Sequence, residues 1–241
     1  MDTYRRFNRF EIKYLVHHAD AERLKESIAE YVRRDVHNGD HGYYDIASLY
    51  YDSPNLACFW DKLDGVKFRR KIRIRRYGRD GAGAAYLEIK QRIDQTLQKK
   101  RIAGTYAQFR SSLDRPTRQD SGSEPDAVAQ EATFLVRRDQ MKPRVLVGYN
   151  REAYFGKFEQ GLRITFDKNL KYTRYTDGLD LDSRLQHYFL APQYFVLEIK
   201  FNHVVPTWLC ASVNRLNLQT RRVSKYCYAM NQMIFDGSIG M

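Results

Sequence analysis

From Asn8 to Val16 polar and apolar residues alternate, and that period of two predicts a β-strand. Ala21, Leu24, Ile28, Ala29 and Val32 then recur at helical spacing, so a helix capped by Asp20 is expected to run to about Arg34. Aromatic and β-branched residues return in Tyr43–Asp52 and stop at Ser53-Pro54-Asn55, which reads as a strand and a turn. A short helix is expected over Leu56–Leu63 and a third strand over Lys67–Tyr77. Its partner is expected over Ala84–Ile93, with the glycine-rich stretch from Gly78 to Gly83 as the hairpin loop. Further strands are expected at Leu97–Ile102, Arg144–Phe155, Leu162–Tyr172 and Tyr194–Asn202. The polar stretch Asp114–Glu131, with its Pro, Ser and Gly, reads as a loop or insertion. Pro206 suits the first position of a helix reaching about Leu216, and a last helical stretch follows Arg222–Lys225. Seven or eight strands with few helices between them predict an α+β class, one domain over 1–241, built on an antiparallel sheet or barrel with helices outside.

Composition supports a packed fold. Of the 241 residues 43% are hydrophobic and 14% aromatic, which excludes a disordered chain. Cys58, Cys210 and Cys227 form neither a CxxC pair nor a Cys/His cluster, so a zinc site and a disulfide framework are not expected. His17-His18, His37 and His41 lack metal-ligand spacing and read as surface residues. Trp60 and Trp208 read as core or helix anchors. The charged N-terminus has no apolar signal core, and no apolar run approaches the ~20 residues that cross a bilayer, so a cytoplasmic protein is expected. The formal charge of +12 calls for an anionic partner.

The same alternation offers a place for that partner. Glu-Ile-Lys occurs three times, at Glu11-Ile12-Lys13, Glu88-Ile89-Lys90 and Glu198-Ile199-Lys200, each inside a predicted strand. Residues i and i+2 of a strand share a face, so each copy sets a carboxylate beside an ammonium. Arg69, Lys71, Arg73 and Arg75 likewise share a face opposite Phe68, Ile72 and Ile74, and Arg163, Thr165 and Asp167 share one opposite Leu162, Ile164 and Phe166. Lys99 and Arg101 add cations, and Arg151 lies on a strand of its own. Alternating charge is also the ordinary signature of a solvated sheet face. Dominance of Lys and Arg on adjacent strands argues further, because like charges there repel and need counter-anions. Closely spaced cations inside a barrel suit a chain of phosphates. The glutamates then serve either as ion-pair partners or, through a bridging divalent cation such as Mg²⁺ or Mn²⁺, as metal ligands beside the phosphates.

Seven segments in order carry a family likeness: Arg9–Tyr14, Arg73–Gly78, Leu87–Lys90, Tyr149–Tyr154, Leu162–Asp167, Leu197–Lys200 and Ser224–Tyr226. Over nearly its whole length the sequence resembles the VTC domain, the polyphosphate polymerase domain of the triphosphate tunnel metalloenzyme superfamily. The resemblance implies a triphosphate-tunnel barrel of about eight antiparallel strands. It implies a metal-dependent phosphotransferase that passes the terminal phosphoryl group of ATP, or another nucleoside triphosphate, to inorganic polyphosphate or pyrophosphate. By the resemblance, Arg73, Arg75, Lys225 and Arg222 are the catalytic cations, with Arg222 standing where the family carries lysine. Lys13, Lys90, Lys99, Arg101, Arg151, Arg163 and Lys200 hold phosphates. Glu198 is the metal ligand, with Glu88 and Glu11 as further candidates. The alternatives are an inorganic or nucleoside triphosphatase of the same superfamily, or a non-catalytic domain that binds polyphosphate or nucleic acid. The superfamily's hydrolases often open on Glu-x-Glu-x-Lys; Arg at position 9 favours the polymerase. Nucleic acid is disfavoured because most aromatics alternate away from the basic residues, Tyr50-Tyr51 and Tyr172–Tyr175 being the exceptions.

Overall fold

The structure, a computed structural model, describes residues 10–78, 84–94, 96–114, 126–177 and 179–237. Arg9, residues 79–83 of the expected hairpin loop and residues 115–125 of the expected loop or insertion lie outside the described residues. The elements are β1 (Phe10–His17), α1 (His18–Ile28), β2 (Val32–Arg34), β3 (Tyr44–Asp52), α2 (Ala57–Leu63), β4 (Phe68–Tyr77), β5 (Ala85–Ile93) and β6 (Thr96–Gly104). They continue as α3 (Tyr106–Asp114), α4 (Ala127–Arg138), β7 (Lys142–Gly156), β8 (Arg163–Arg174), β9 (His187–Tyr188), β10 (Tyr194–Phe201), α5 (Thr207–Arg215) and α6 (Lys225–Phe235). Eight main strands in antiparallel pairing with helices give the α+β architecture that the alternating pattern predicts.

The chain divides into two compact units. The first comprises Met1–Tyr44, Tyr149–Leu170 and Leu190–Ser224. Its strands follow the order β1-β10-β8-β7, with β2 on β7. Its core sits on the apolar side of these strands, where Ile164, Phe166, Leu197 and Ile199 meet Leu24 and Ile28 of α1 and Leu209 of α5. Each such side chain contributes about 1.5–3 kcal/mol through burial. The second unit comprises Asp45–Gly148, Lys171–Phe189 and Lys225–Met241. There β7 is followed by β3, β4, β5 and β6. Ile72, Ile74, Leu87 and Ile89 are at most 1% exposed, and α2, α3 and α4 pack on this sheet.

Several boundaries differ from the sequence expectation for local reasons. His17, not Asp20, caps α1, because its extended backbone lets the imidazole Nδ1 accept from Ala19 N at 3.4 Å. The helix ends at Ile28, and Val32–Arg34 leaves it to pair with Tyr154–Gly156. Helix α3 was not expected, although Thr105 and Gln108 form a reciprocal capping box: the Gln108 amide donates to Thr105 Oγ1 at 3.1 Å and the Thr105 amide to Gln108 Oε1 at 2.9 Å. Within the stretch 114–131, Asp126 accepts from Val128 N at 2.7 Å and starts α4. Pro206 is the residue before α5 and Thr207 its first. Trp208 stacks on Tyr31 at 4.6 Å as an anchor, whereas Trp60 is 41% exposed.

Candidate functional site

The second unit carries a cation-rich face. The register of β4, β5 and β6 sets Lys71, Lys90 and Lys99 directly opposite one another across three adjacent strands. The next row on that face is Arg73, Glu88 and Arg101, and Arg75 lies one step further along β4. Like charges placed directly opposite are destabilising, so the fold holds this arrangement against a cost. Glu88 is the one carboxylate in these two rows and is 1% exposed. Arg73 donates to its Oε2 from Nε at 2.7 Å, and Lys99 pairs with Oε1. Burial pushes Glu88 up, yet Arg73, Arg75 and Lys99 outweigh it and bring its pKa down to about 2. Burial and the charge of Arg73 push Lys99 down, and its pKa is lowered in spite of Glu88.

Tyr50 registers the surplus of positive charge. It pairs with Arg73 across β3 and β4, and its hydroxyl accepts from Arg73 Nη1 at 2.8 Å. Burial alone raises a phenol pKa, but Arg73, Arg75 and Lys71 overcome it and lower Tyr50 to about 8. Folding therefore gains from Tyr50 ionisation: this contribution is full above about pH 10, where the unfolded phenol is also ionised, and is lost as pH falls through about 8. Arg75 is 6% exposed and donates from Nε to Ser48 Oγ at 3.0 Å.

Lys225 opens α6. The next residue, Tyr226, fixes that helix end, because its hydroxyl donates to the buried Asp52. Asp52 also accepts from the Cys58 and Phe59 amides at 2.9 and 3.1 Å, which caps α2. The Tyr226 ring packs on Tyr50 at 5.2 Å and lies 4.8 Å beneath the Lys71 ammonium. The sequence marks Ser224-Lys225-Tyr226 as a unit, but only the fold shows that its tyrosine ties Lys225 to the lysine row.

The first unit carries a different polar face, one in which charges are paired. Across β1 and β10, Glu11 stands opposite Lys200 and Lys13 opposite Glu198. Lys13 pairs with Glu11 at 2.9 Å and with Glu198 at 3.6 Å, and Lys200 pairs with the same two carboxylates. Burial works against the Lys13 ammonium, but Glu198 and Glu11 outweigh it and raise its pKa. Arg151 grips Asp167 through two bonds, at 2.6 and 2.8 Å. Arg163 holds Asp35 at 3.1 Å and the Tyr44 hydroxyl at 3.0 Å. Arg222 is exposed on the segment before α6; Lys13 reaches that segment through a bond from Nζ to the Val223 carbonyl at 3.3 Å.

Among the described residues no three His, Cys, Asp or Glu side chains are grouped so as to enclose a metal ion. A hard cation completed by substrate phosphates needs only one or two carboxylates. Glu198 and Glu11 supply that number, standing diagonally on neighbouring strands, and a cation bound between them would displace the Lys13 and Lys200 ammoniums that pair with both. Glu88 does not fit, because a cation there would meet Arg73, Arg75 and Lys99. Its place is that of an internal counter-ion.

The VTC domain family model matches residues 8–234, nearly all of this arrangement. The chain belongs to the VTC domain family. Over 97% of its length this VTC domain is 23% identical to subunit 4 of the vacuolar transporter chaperone complex of Schizosaccharomyces pombe. It spans 38% of that relative. Two solved structures resemble it in fold. One, from Vibrio parahaemolyticus, is described as a candidate adenylate cyclase; it is 12% identical, with a TM-score of 0.45 and coverage of 91% of this chain and 96% of that one. The other, from Bacillus halodurans, carries the same description; it is 14% identical, with a TM-score of 0.49 and coverage of 90% and 95%. No helix among the described residues is long and apolar enough to cross a membrane.

Proposed function

We propose that this VTC domain is a polyphosphate polymerase. The observation that carries the reading is the row Lys71, Lys90 and Lys99 beside Arg73 and Arg101, where cations stand directly opposite one another across three strands and a chain of closely spaced anions would offset their repulsion. Family membership supplies the class of chemistry. A terminal oxygen of the growing chain attacks the γ-phosphorus of ATP, the bond to the β,γ-bridging oxygen breaks, and ADP leaves. Phosphoryl transfer of this kind demands alignment and charge neutralisation more than covalent help from the protein. Arg73, Arg75 and Lys225 are assigned to neutralise the transferring group, and the lysine row to hold the phosphates on either side of it. Glu198 and Glu11 would hold Mg²⁺ or Mn²⁺, which supplies charge neutralisation between carboxylates and phosphates when bound. Arg151, Arg163 and Lys200 are assigned to phosphates, each already aligned by a carboxylate.

Purified protein given ATP labelled in its terminal phosphate, a divalent metal and a short polyphosphate primer is expected to move label into chains that a gel separates by length. Label found solely in orthophosphate would make the protein a triphosphatase and overturn this reading.

A further inference from the structure

Two buried donors on one face of β8 have no hydrogen-bond partner among the described residues: Thr165 Oγ1 and Arg163 Nε. Thr165 is 2% exposed, and the residues are two apart on a strand, so they project from the same side. Opposite them on β10 stand Glu198 and Lys200, in the paired face described above. Arg163 is held by Asp35, by Tyr44 and by the Phe155 ring 5.2 Å away, so its Nε edge is fixed while remaining unserved. A buried polar group without a partner loses its hydration for nothing, and two side by side call for an explanation. The chemistry of the pair narrows what can serve them. An arginine Nε–H only donates, and the hydroxyl can donate as well, so a ligand that satisfies both must bring acceptor oxygens. A metal ion has none to bring. A phosphate group has several, carries the charge that the guanidinium favours, and matches the geometry of arginine.

We infer that Thr165 and Arg163 form a subsite for one phosphate group, the Thr165 hydroxyl and Arg163 Nε each donating to an oxygen of that group. The subsite rests on the reading of the bound substrate as a phosphate chain, and it adds Thr165 to the residues that bind it. The neighbouring Lys200 offsets the repulsion that Glu198 exerts on the anion. The arrangement trades stability of the empty protein for affinity. The hydroxyl is a cost until the phosphate arrives.

The test is titration of inorganic tripolyphosphate into wild type, Thr165→Val and Thr165→Ser, with thermal unfolding of each ligand-free protein. Thr165→Val is expected to unfold at or above the wild-type temperature, because it removes an unserved hydroxyl, yet to bind tripolyphosphate about tenfold more weakly. Thr165→Ser, which keeps the hydroxyl, is expected to bind like the wild type. Wild-type affinity in Thr165→Val would overturn the inference and leave a trapped water as the partner. Equal weakening in both variants would overturn it in favour of simple packing. The readout is binding alone, so a protein that binds tripolyphosphate in this pattern but makes no chains would refute the polymerase and leave the subsite standing.

Discussion

Replacing Arg73 by alanine is expected to destabilise the protein by about 3–5 kcal/mol, the usual cost of stripping one partner from a buried ion pair, and to abolish phosphoryl transfer. Both effects follow from one side chain. Arg73 gives Glu88 two of its contacts and gives the Tyr50 hydroxyl its hydrogen bond. Without it the carboxylate, 1% exposed in the intact protein, keeps Lys99 but loses its nearest guanidinium. The loss of stability therefore belongs to Glu88 and the loss of chemistry to the cation. The double substitution Arg73→Ala with Glu88→Gln separates them, since a neutral amide no longer needs the arginine. Urea unfolding should show most of the stability restored, while turnover stays absent. Turnover that returned with stability would show that Arg73 is structural alone.

Glu198→Gln carries the second large effect. It is expected to lower turnover by about 100-fold or more, the scale of losing the proposed metal, whose charge would stabilise the transition state by several kcal/mol. Polyphosphate should bind as tightly as before or more tightly, because the substitution removes a negative charge from beside Lys13 and Lys200. The Lys13 ammonium, now held above its usual pKa by Glu198 and Glu11, should titrate lower in the variant. Rates of chain synthesis and direct polyphosphate binding are the two measurements. If binding fell in parallel with rate, Glu198 would be a structural partner of the two lysines and the metal assignment would fail.

The strands and their charged faces were legible in the sequence because a period of two is a local signal. Glu88-Ile89-Lys90 and Glu198-Ile199-Lys200 look alike as tripeptides, yet the structure gives them opposite settings. Glu88 faces Arg73 and Arg101 on its two sides, whereas Glu198 faces Lys13 and Thr165. That difference is a matter of strand pairing, which no local pattern encodes. The lysine row was hidden for the same reason: Lys71, Lys90 and Lys99 were visible as residues, but only their register makes them neighbours. In the sequence Thr165 is one member of an alternating face, and its lack of a partner appears only once everything around it is placed. The helices near 105–131 are harder to read because their starts rest on single capping residues, Thr105 and Asp126, set in a polar stretch of sequence.

If a phosphate chain lies against the cations of β4, β5 and β6, Tyr50 provides a probe already in place. Its ionisation can be followed by ultraviolet absorbance, taking wild type minus Tyr50→Phe, with and without polyphosphate. The ligand-free protein should show this tyrosine ionising at about pH 8, because Arg73, Arg75 and Lys71 favour the phenolate. Polyphosphate bound there supplies the missing negative charge, so the midpoint should move up towards the ordinary tyrosine value near 10. A midpoint that stays at about 8 while polyphosphate is bound would place the polymer away from these strands.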